Sequence, residues 1–117
     1  MVTRKFNKVM FINPSNTMPK DSVRRLTTPL GFLYMGAVLK QHGYDVNIVD
    51  SPCEGYYQTR VNGDFISYGL SEDEVEKRIK AFGPDLVGVT SMFTAHQNNA
   101  NRHCDLVRKV SDAPIVL

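Results

Sequence analysis

An open parallel α/β sheet is the fold this sequence predicts, and three observations predict it. Short, continuous apolar runs recur along the chain, the pattern of strands covered on both faces. Segments with apolar residues at helical spacing lie between them, and glycines close two of these segments. The resulting order of strand, helix, strand, helix, strand, helix, strand marks parallel strands joined by right-handed crossovers.

The first strand is expected over Lys8 to Asn13, where Val9, Met10, Phe11 and Ile12 form an unbroken apolar run. The run stops at Asn13-Pro14-Ser15-Asn16, and polar, turn-forming residues continue to Thr28. This loop exceeds the two to six residues usual after a strand in α/β units, and long loops in compact domains tend to be functional. A helix follows near Pro29, with Thr28 placed to cap it and Pro29 suited to the first helical position. Leu30, Leu33, Tyr34, Ala37 and Val38 recur at helical spacing, so Leu30, Leu33, Tyr34 and Met35 are read mainly as core. Gly43 ends this helix. His42 precedes it, where an imidazolium interacts favourably with the helix dipole.

Tyr44 to Val49 alternates with Asp45 and Asn47, giving the second strand. Ser51 to Leu70 holds glycines, Tyr56, Tyr57, Tyr68 and Phe65; within it Asp64 to Tyr68 reads as a short extra strand or hairpin arm. Its tyrosines form either a satellite cluster or an interdomain surface. Ser71-Glu72-Asp73-Glu74 has the form of a capping box, Ser71 bonding to the third helical amide and Glu74 reaching back. The helix runs through Val75, Ile79 and Phe82 to Gly83-Pro84. Leu86 to Thr90 is a third, buried strand, and Gly88 inside it suggests close approach of another backbone or a ligand. A polar loop, Ser91 to Asn99, leads to a helix from about Asn99 to Val110. Pro114 to Leu117 begins a fourth strand. A complete flavodoxin-like sheet has five, so the expectation is a flavodoxin-like or Rossmann-like sheet truncated within or after its fourth strand.

Length and composition bound the function. The 117 residues suffice for one domain, 42% of them hydrophobic, which favours a packed globule over disorder. A net charge of +2 from 14 basic and 12 acidic residues is too balanced to suggest a nucleic-acid or anionic-membrane partner. No apolar run approaches the ~20 residues of a membrane-spanning helix, and the N-terminus lacks a signal-peptide pattern, so a cytoplasmic location is expected. Cys53 and Cys104 are too few for a disulfide scaffold, or for a zinc or iron–sulfur site built of cysteines alone. They are read as reduced, inert thiols.

In such sheets ligands bind beyond the carboxyl ends of the strands, where strand order reverses. That rule points to the Asn13–Thr28 and Ser91–Asn99 loops. There is no G-x-G-x-x-G after the first strand and no Walker A sequence, which argues against the usual nucleotide sites. The third strand ends in Thr90-Ser91 and not in a carboxylate, which argues against a phosphoacceptor domain. His96 and His103 lie seven apart, not at the three or four a helical metal pair prefers, and His103 and Cys104 are adjacent and diverge, so no metal site is expected. His96, in the loop at the ligand edge near Thr90, Ser91, Thr94 and Gln97, is a ligand contact or a solvated histidine. Gly31 in the first turn of the first helix could admit a ligand closely.

Three segments carry a resemblance. They are Lys8-Val9-Met10-Phe11-Ile12-Asn13-Pro14; Pro29 to Leu39 running into His42-Gly43-Tyr44-Asp45-Val46 and Val49-Asp50; and Pro84 to Ser91 followed by Pro114 to Leu117. In that order and spacing they resemble the N-terminal cobalamin-binding domain of cobalamin-dependent radical SAM proteins, over nearly the whole chain except about Ser51 to Leu70. The wider cobalamin-binding family carries D-x-H-x-x-G after the first strand, S-x-L at the third and G-G after the fourth. Thr90-Ser91-Met92 matches the second of these conservatively; its hydroxyl is expected near the buried nucleotide tail of the cofactor. The first is absent, since Asn13 to Met18 supplies no histidine, a departure common in the radical SAM subgroup.

The resemblance implies a domain that holds the corrin over the strand ends. It implies a following domain of the parent chain that binds a [4Fe–4S] cluster on a C-x-x-x-C-x-x-C loop and cleaves S-adenosylmethionine, with catalysis outside these residues. Asn13, Pro14, Ser15, Asn16, Pro29, Leu30, Gly31, Thr90, Ser91, Met92, Phe93, Thr94, His96 and Gln97 are the expected cofactor contacts. The competing expectations are a cofactor-free docking or regulatory module and a flavodoxin-like domain for another small ligand.

Overall fold

A computed structural model describes residues 6–91 and 96–117. Met92, Phe93 and Thr94, expected cofactor contacts, lie outside the described residues. The strands are β1 (Lys8–Asn13), β2 (Asn16–Pro19), β3 (Asp45–Asp50), β4 (Thr59–Asn62), β5 (Phe65–Tyr68), β6 (Leu86–Val89) and β7 (Ile115–Val116). The helices are α1 (Leu30–Gln41), α2 (Ser51–Glu54), α3 (Glu72–Phe82) and α4 (Gln97–Val110). The main sheet has the order β3-β1-β6-β7 and every pairing in it is parallel. This is the open α/β sheet the sequence predicts. None of the described helices is long and apolar enough to cross a membrane.

Alternation along the strands assigns the layers. Met10 and Ile12 of β1, with Val87 and Val89 beside them on β6, pack against Val75 and Ile79 of α3 and Leu106 and Val107 of α4. This is the core. Phe11 and Gly88, paired across the same two strands, face the other way, toward α1. There Phe11 stacks on Phe32 with ring centroids 4.7 Å apart. A Cβ at Gly88 would stand 2.9 Å from the Phe11 ring, so the close approach at this glycine is made by an aromatic side chain and not by another backbone.

α1 departs from the sequence expectation in its phase. Gly36 is its buried residue, close under Val46 and Ile48 of β3, and Phe32 and Leu39 are half-buried beside it. Leu30 (58% exposed), Tyr34 (72%), Leu33, Met35 and Val38 face outward. The stripe Phe32, Gly36, Leu39 at i, i+4, i+7 meets the sheet, not the stripe read as core. The helix start also differs. Pro29 is itself the N-cap, with no side-chain hydrogen bond, and Thr28 instead accepts the Leu30 amide at its carbonyl.

The capping box of α3 is present, with the Ser71 hydroxyl accepting from the Glu74 amide and the Glu74 carboxylate accepting from the Ser71 amide. Such a cap contributes about 1 kcal/mol. Gly83 closes the helix in the left-handed conformation (φ 62°), which glycine adopts without steric cost.

Two strands of the hairpin expected around Asp64–Tyr68 do form, joined at Gly63. Less expected is β2, which lies in the long first loop and completes a small antiparallel sheet, β2-β5-β4. The rest of that loop is tied down by Tyr68. Its buried hydroxyl donates to the Arg25 carbonyl and accepts from Asn16 Nδ2 and the Arg25 amide. Arg24 spans the rings of Tyr56 and Tyr68 and donates to the Tyr56 carbonyl. Tyr56, Tyr57 and Tyr68 thus make a satellite cluster of edge-on rings.

Candidate functional site

The chain leaves β1 toward β3 on one side and reaches β6 on the other, so β1 and β6 are neighbours whose outgoing loops part. That is the switch point at which open parallel sheets form a crevice. A cleft of about 250 Å³ lies there. Asn13, Pro14, Ser15 and Asn16 enter it from the end of β1, Thr90 from the end of β6, and His96 from the start of α4. Pro29, Leu30 and Gly31 enter it from the first turn of α1. All of these were expected on sequence grounds, and the fold brings them together from segments up to 83 positions apart (Asn13 to His96).

Ser91 and Gln97 do not line the cleft. The Ser91 hydroxyl donates to Gln97 Oε1 at 2.9 Å, and Gln97 Nε2 donates in turn to Asn101 Oδ1. The pair therefore ties the end of β6 to the first turn of α4. Thr27, Thr28, Phe32, Met35 and Pro52 line the cleft and were not among the expected contacts. Met35 was findable, four residues past Gly31 and so on the same helix face. Pro52 was not, since it arrives only because β3 pairs with β1 and brings the turn after Asp50 beside Asn13.

Local bonds hold the first loop in place. Asn13 Nδ2 donates to the Asp50 carboxylate at 2.9 Å. Asn99 of α4 donates to the Ser15 carbonyl at 2.7 Å and to Thr17 Oγ1 at 3.0 Å. Gly31 offers open space, with no atom within 4 Å of where a Cβ would stand.

The chemistry of the lining is distinctive. Asn13, Ser15, Asn16, Thr27, Thr28, Thr90 and His96 supply hydrogen-bonding groups; Pro14, Pro29, Leu30, Phe32, Met35 and Pro52 supply apolar surface. No Asp, Glu, Lys or Arg is among them. An uncharged, amphipathic cleft suits a ligand with an apolar frame and neutral amide or hydroxyl groups, and offers nothing to neutralise a multiply charged one. Among the described residues no group of three or more His, Cys, Asp or Glu side chains could hold a metal ion. Both cysteines are free thiols; burial raises the pKa of Cys104 above its ordinary value, which disfavours the reactive thiolate.

A parallel sheet with an uncharged cleft at its switch point defines an α/β domain for a small organic ligand. The chain belongs to the B12-binding domain family, which matches residues 19–117. It is 45% identical, over 102 residues, to the cytidylyl-2-hydroxyethylphosphonate methyltransferase of Streptomyces wedmorensis. The match takes in 85% of this chain and 19% of that enzyme, so the chain spans about a fifth of its relative's length. No solved structure matches the chain.

The lining residues fit cobalamin in kind. A corrin has an apolar rim bearing neutral amide arms, which Asn, Ser and Thr side chains can bond and Leu30, Phe32 and Met35 can pack against. The cleft, at about 250 Å³, is smaller than the whole cofactor.

Proposed function

We propose that this chain is the cobalamin-binding part of a larger methyltransferase of the radical SAM type. In this reading a separate domain of the longer protein supplies the [4Fe–4S] cluster and S-adenosylmethionine. The observation that carries the reading is the uncharged cleft at the β1/β6 switch point, lined by residues from both ligand-edge loops. The resemblance of the three sequence segments supports the radical SAM part, and the methyltransferase relative supports the reaction class. When bound, cobalamin would supply a cobalt centre able to carry a methyl group.

This chain's own residues then have three tasks. Asn13, Ser15, Asn16 and Thr90 hydrogen-bond the cofactor's neutral polar groups. Pro29, Leu30, Phe32 and Met35 cover its apolar edge and exclude water. The bond between Ser91 and Gln97 fixes the end of β6, and with it Thr90, against the first turn of α4. The first loop offers no histidine that would hold cobalt, and a nucleotide tail buried in the protein, as the resemblance implies, would give a base-off spectrum.

The test is a titration of the full-length protein with hydroxocobalamin, followed by visible absorbance and calorimetry. Saturable one-to-one binding is expected, weakened at least about tenfold by Thr90→Phe, which fills the end of β6. Unchanged affinity in that variant would remove Thr90 from the site. Absence of binding by a folded wild-type protein would leave the cleft without its cofactor and favour a docking module. Iron content and reductive cleavage of S-adenosylmethionine by the same preparation test the radical SAM assignment separately.

A further inference from the structure

A second cavity lies on the far side of the first loop, and its chemistry is the opposite of the cleft's. It has a volume of about 280 Å³, and Arg60, Glu72, Arg102 and His103 line it together with Ser15 and Ser71. Ser15 is the residue it shares with the cleft.

His103 is the informative group. It is only 4% exposed. Nδ1 lies 2.8 Å from the Asn99 carbonyl oxygen, which can only accept, so Nδ1 carries the proton. Burial lowers the pKa of the imidazole and keeps the ring neutral. Nε2 is then a bare acceptor. It is buried, and it has no hydrogen-bond partner among the described residues. A buried acceptor left unpaired is costly, and native structures seldom leave one so without a ligand or water to meet it.

The charges around it are unbalanced. Arg102 is neutralised by Glu72 through two bonds, Nε at 2.6 Å and Nη2 at 2.8 Å. Among the described residues Arg60 makes no ion pair, and its hydrogen bond there is a long one, 3.4 Å to the Gly69 carbonyl. The cavity therefore holds a net positive charge beside an acceptor that needs a proton donor. Among the described residues no cluster of metal-ligating side chains is available to use Nε2 as a ligand.

We propose that this cavity is a second binding site, for a small oxyanion with a protonated oxygen, of the phosphate-monoester or phosphonate class. Arg60 meets the charged oxygens, and the ligand's own hydroxyl donates to Nε2 of His103. The two requirements select against a phosphodiester, which carries charge but no proton to give. They therefore distinguish a separate phosphorylated ligand from the phosphodiester of the cobalamin nucleotide tail. The site does not depend on cobalamin being bound.

The experiment is a calorimetric titration of the full-length protein with inorganic phosphate and with dimethyl phosphate, at a pH where phosphate is largely the monoanion and the probes match in charge. Saturable one-to-one phosphate binding is expected, with dimethyl phosphate at least about tenfold weaker. Arg60→Gln, on an exposed strand, should weaken phosphate binding by a similar factor, and Arg60→Lys should recover part of it. His103→Leu should abolish the preference between the two probes, an effect that a merely structural histidine would not have. Should that variant fail to fold, the probe comparison and Arg60→Gln decide alone. No saturation by on the order of 10 mM phosphate, unchanged affinity in Arg60→Gln, or equal binding of the two probes would each overturn the proposal. Repeating the titration with saturating hydroxocobalamin should leave phosphate affinity unchanged; displacement would overturn a separate ligand in favour of the nucleotide tail.

Discussion

Replacing Gly55 by alanine should loosen the joint between the two sheets. Gly55 follows α2, and its backbone lies against that of Gly69 and Leu70 at the end of β5. A Cβ at position 55 would stand 2.5 Å from the Gly69 carbonyl oxygen and closer still to the Gly69 carbonyl carbon and the Leu70 nitrogen. Comfortable contact needs ~3.5 Å, so the chains must part by about 1 Å. The atoms in the way are backbone and cannot rotate aside. Three bonds cross this joint: the Gly69 amide to the Gly55 carbonyl (3.1 Å), and the Leu70 amide to the Ser51 carbonyl (3.2 Å) and hydroxyl (2.9 Å).

Overpacking of this kind costs about 1–3 kcal/mol, and losing one or two of those bonds costs about 1 kcal/mol each. The expected total is about 2–5 kcal/mol, a large share of the ~5–15 kcal/mol that holds a domain folded. Gly31→Ala is the control. It meets no atom within 4 Å and sits in a helix, so it should be neutral or stabilise by up to ~1 kcal/mol. Urea unfolding followed by circular dichroism separates the two, with the midpoint of Gly55→Ala falling by roughly 2 M. A midpoint within about 0.3 M of the wild type would show that the joint tolerates a side chain and that the packing argument is wrong.

Two further predictions concern α1 and pH. Phe32→Ala should cost about 2 kcal/mol, because it removes a half-buried ring stacked on Phe11, whereas Tyr34→Ser should change stability by less than ~0.5 kcal/mol. Equal costs in chemical denaturation would mean that the helix presents a different face to the sheet. Stability should also fall as the pH drops below about 6.5, the ordinary histidine value from which His103 is depressed. The sign follows from proton counts: the unfolded chain takes up a proton on His103 in that range and the folded chain does not. Further loss should follow below the ordinary carboxylate value of 4.5, where Glu72, held down by its bond to Arg102, and Glu74, held down by Ser71, are protonated in the unfolded chain first. His103→Leu should flatten the first part of this profile; an unchanged slope between neutral pH and 5 would show that another group causes it.

The parallel sheet was legible because its strands are local apolar runs or, in β3, a local alternation with Asp45 and Asn47, and because Gly43 and Gly83 mark the ends of two connecting helices. The small sheet was not. β4 is exposed along its length, and β2 pairs with a strand some fifty positions away, so neither leaves a periodic trace. The phase of α1 was misread for a different reason. Leu30, Phe32, Leu33, Tyr34, Met35, Ala37, Val38 and Leu39 put apolar groups on nearly every face, and a pattern without a polar side carries no phase. What decides it is Gly36, whose lack of a side chain lets the helix come down onto Val46 and Ile48. The cleft was found through the switch-point rule, which needs only strand order. The second cavity was missed because His103 was read beside Cys104. Its spacing from Ala100 and Val107, three and four residues away, places it on the buried face of α4 instead.

The two N-termini on opposite faces of the sheet show how the same feature can be closed or left open. Before α3 the sequence places Ser71 and Glu74 in reciprocal bonds and three acidic residues in the first turn, so the free amides and the positive end of the dipole are satisfied within the chain. Before α1 it places a proline with no side-chain cap and no acidic residue in the first turn. That first turn, Leu30 to Phe32, lines the cleft together with Met35 one turn on. A carboxylate cap there would put a charge into an otherwise uncharged site and occupy amides that a neutral ligand's carbonyl oxygens can use. Leaving this end uncapped costs the helix some stability, and the stack of Phe32 on Phe11 and the seat of Gly36 on β3 offset that cost. Helix, sheet and cleft are therefore one arrangement: residues chosen for close packing hold the helix, which leaves its first turn free to meet what the cleft binds.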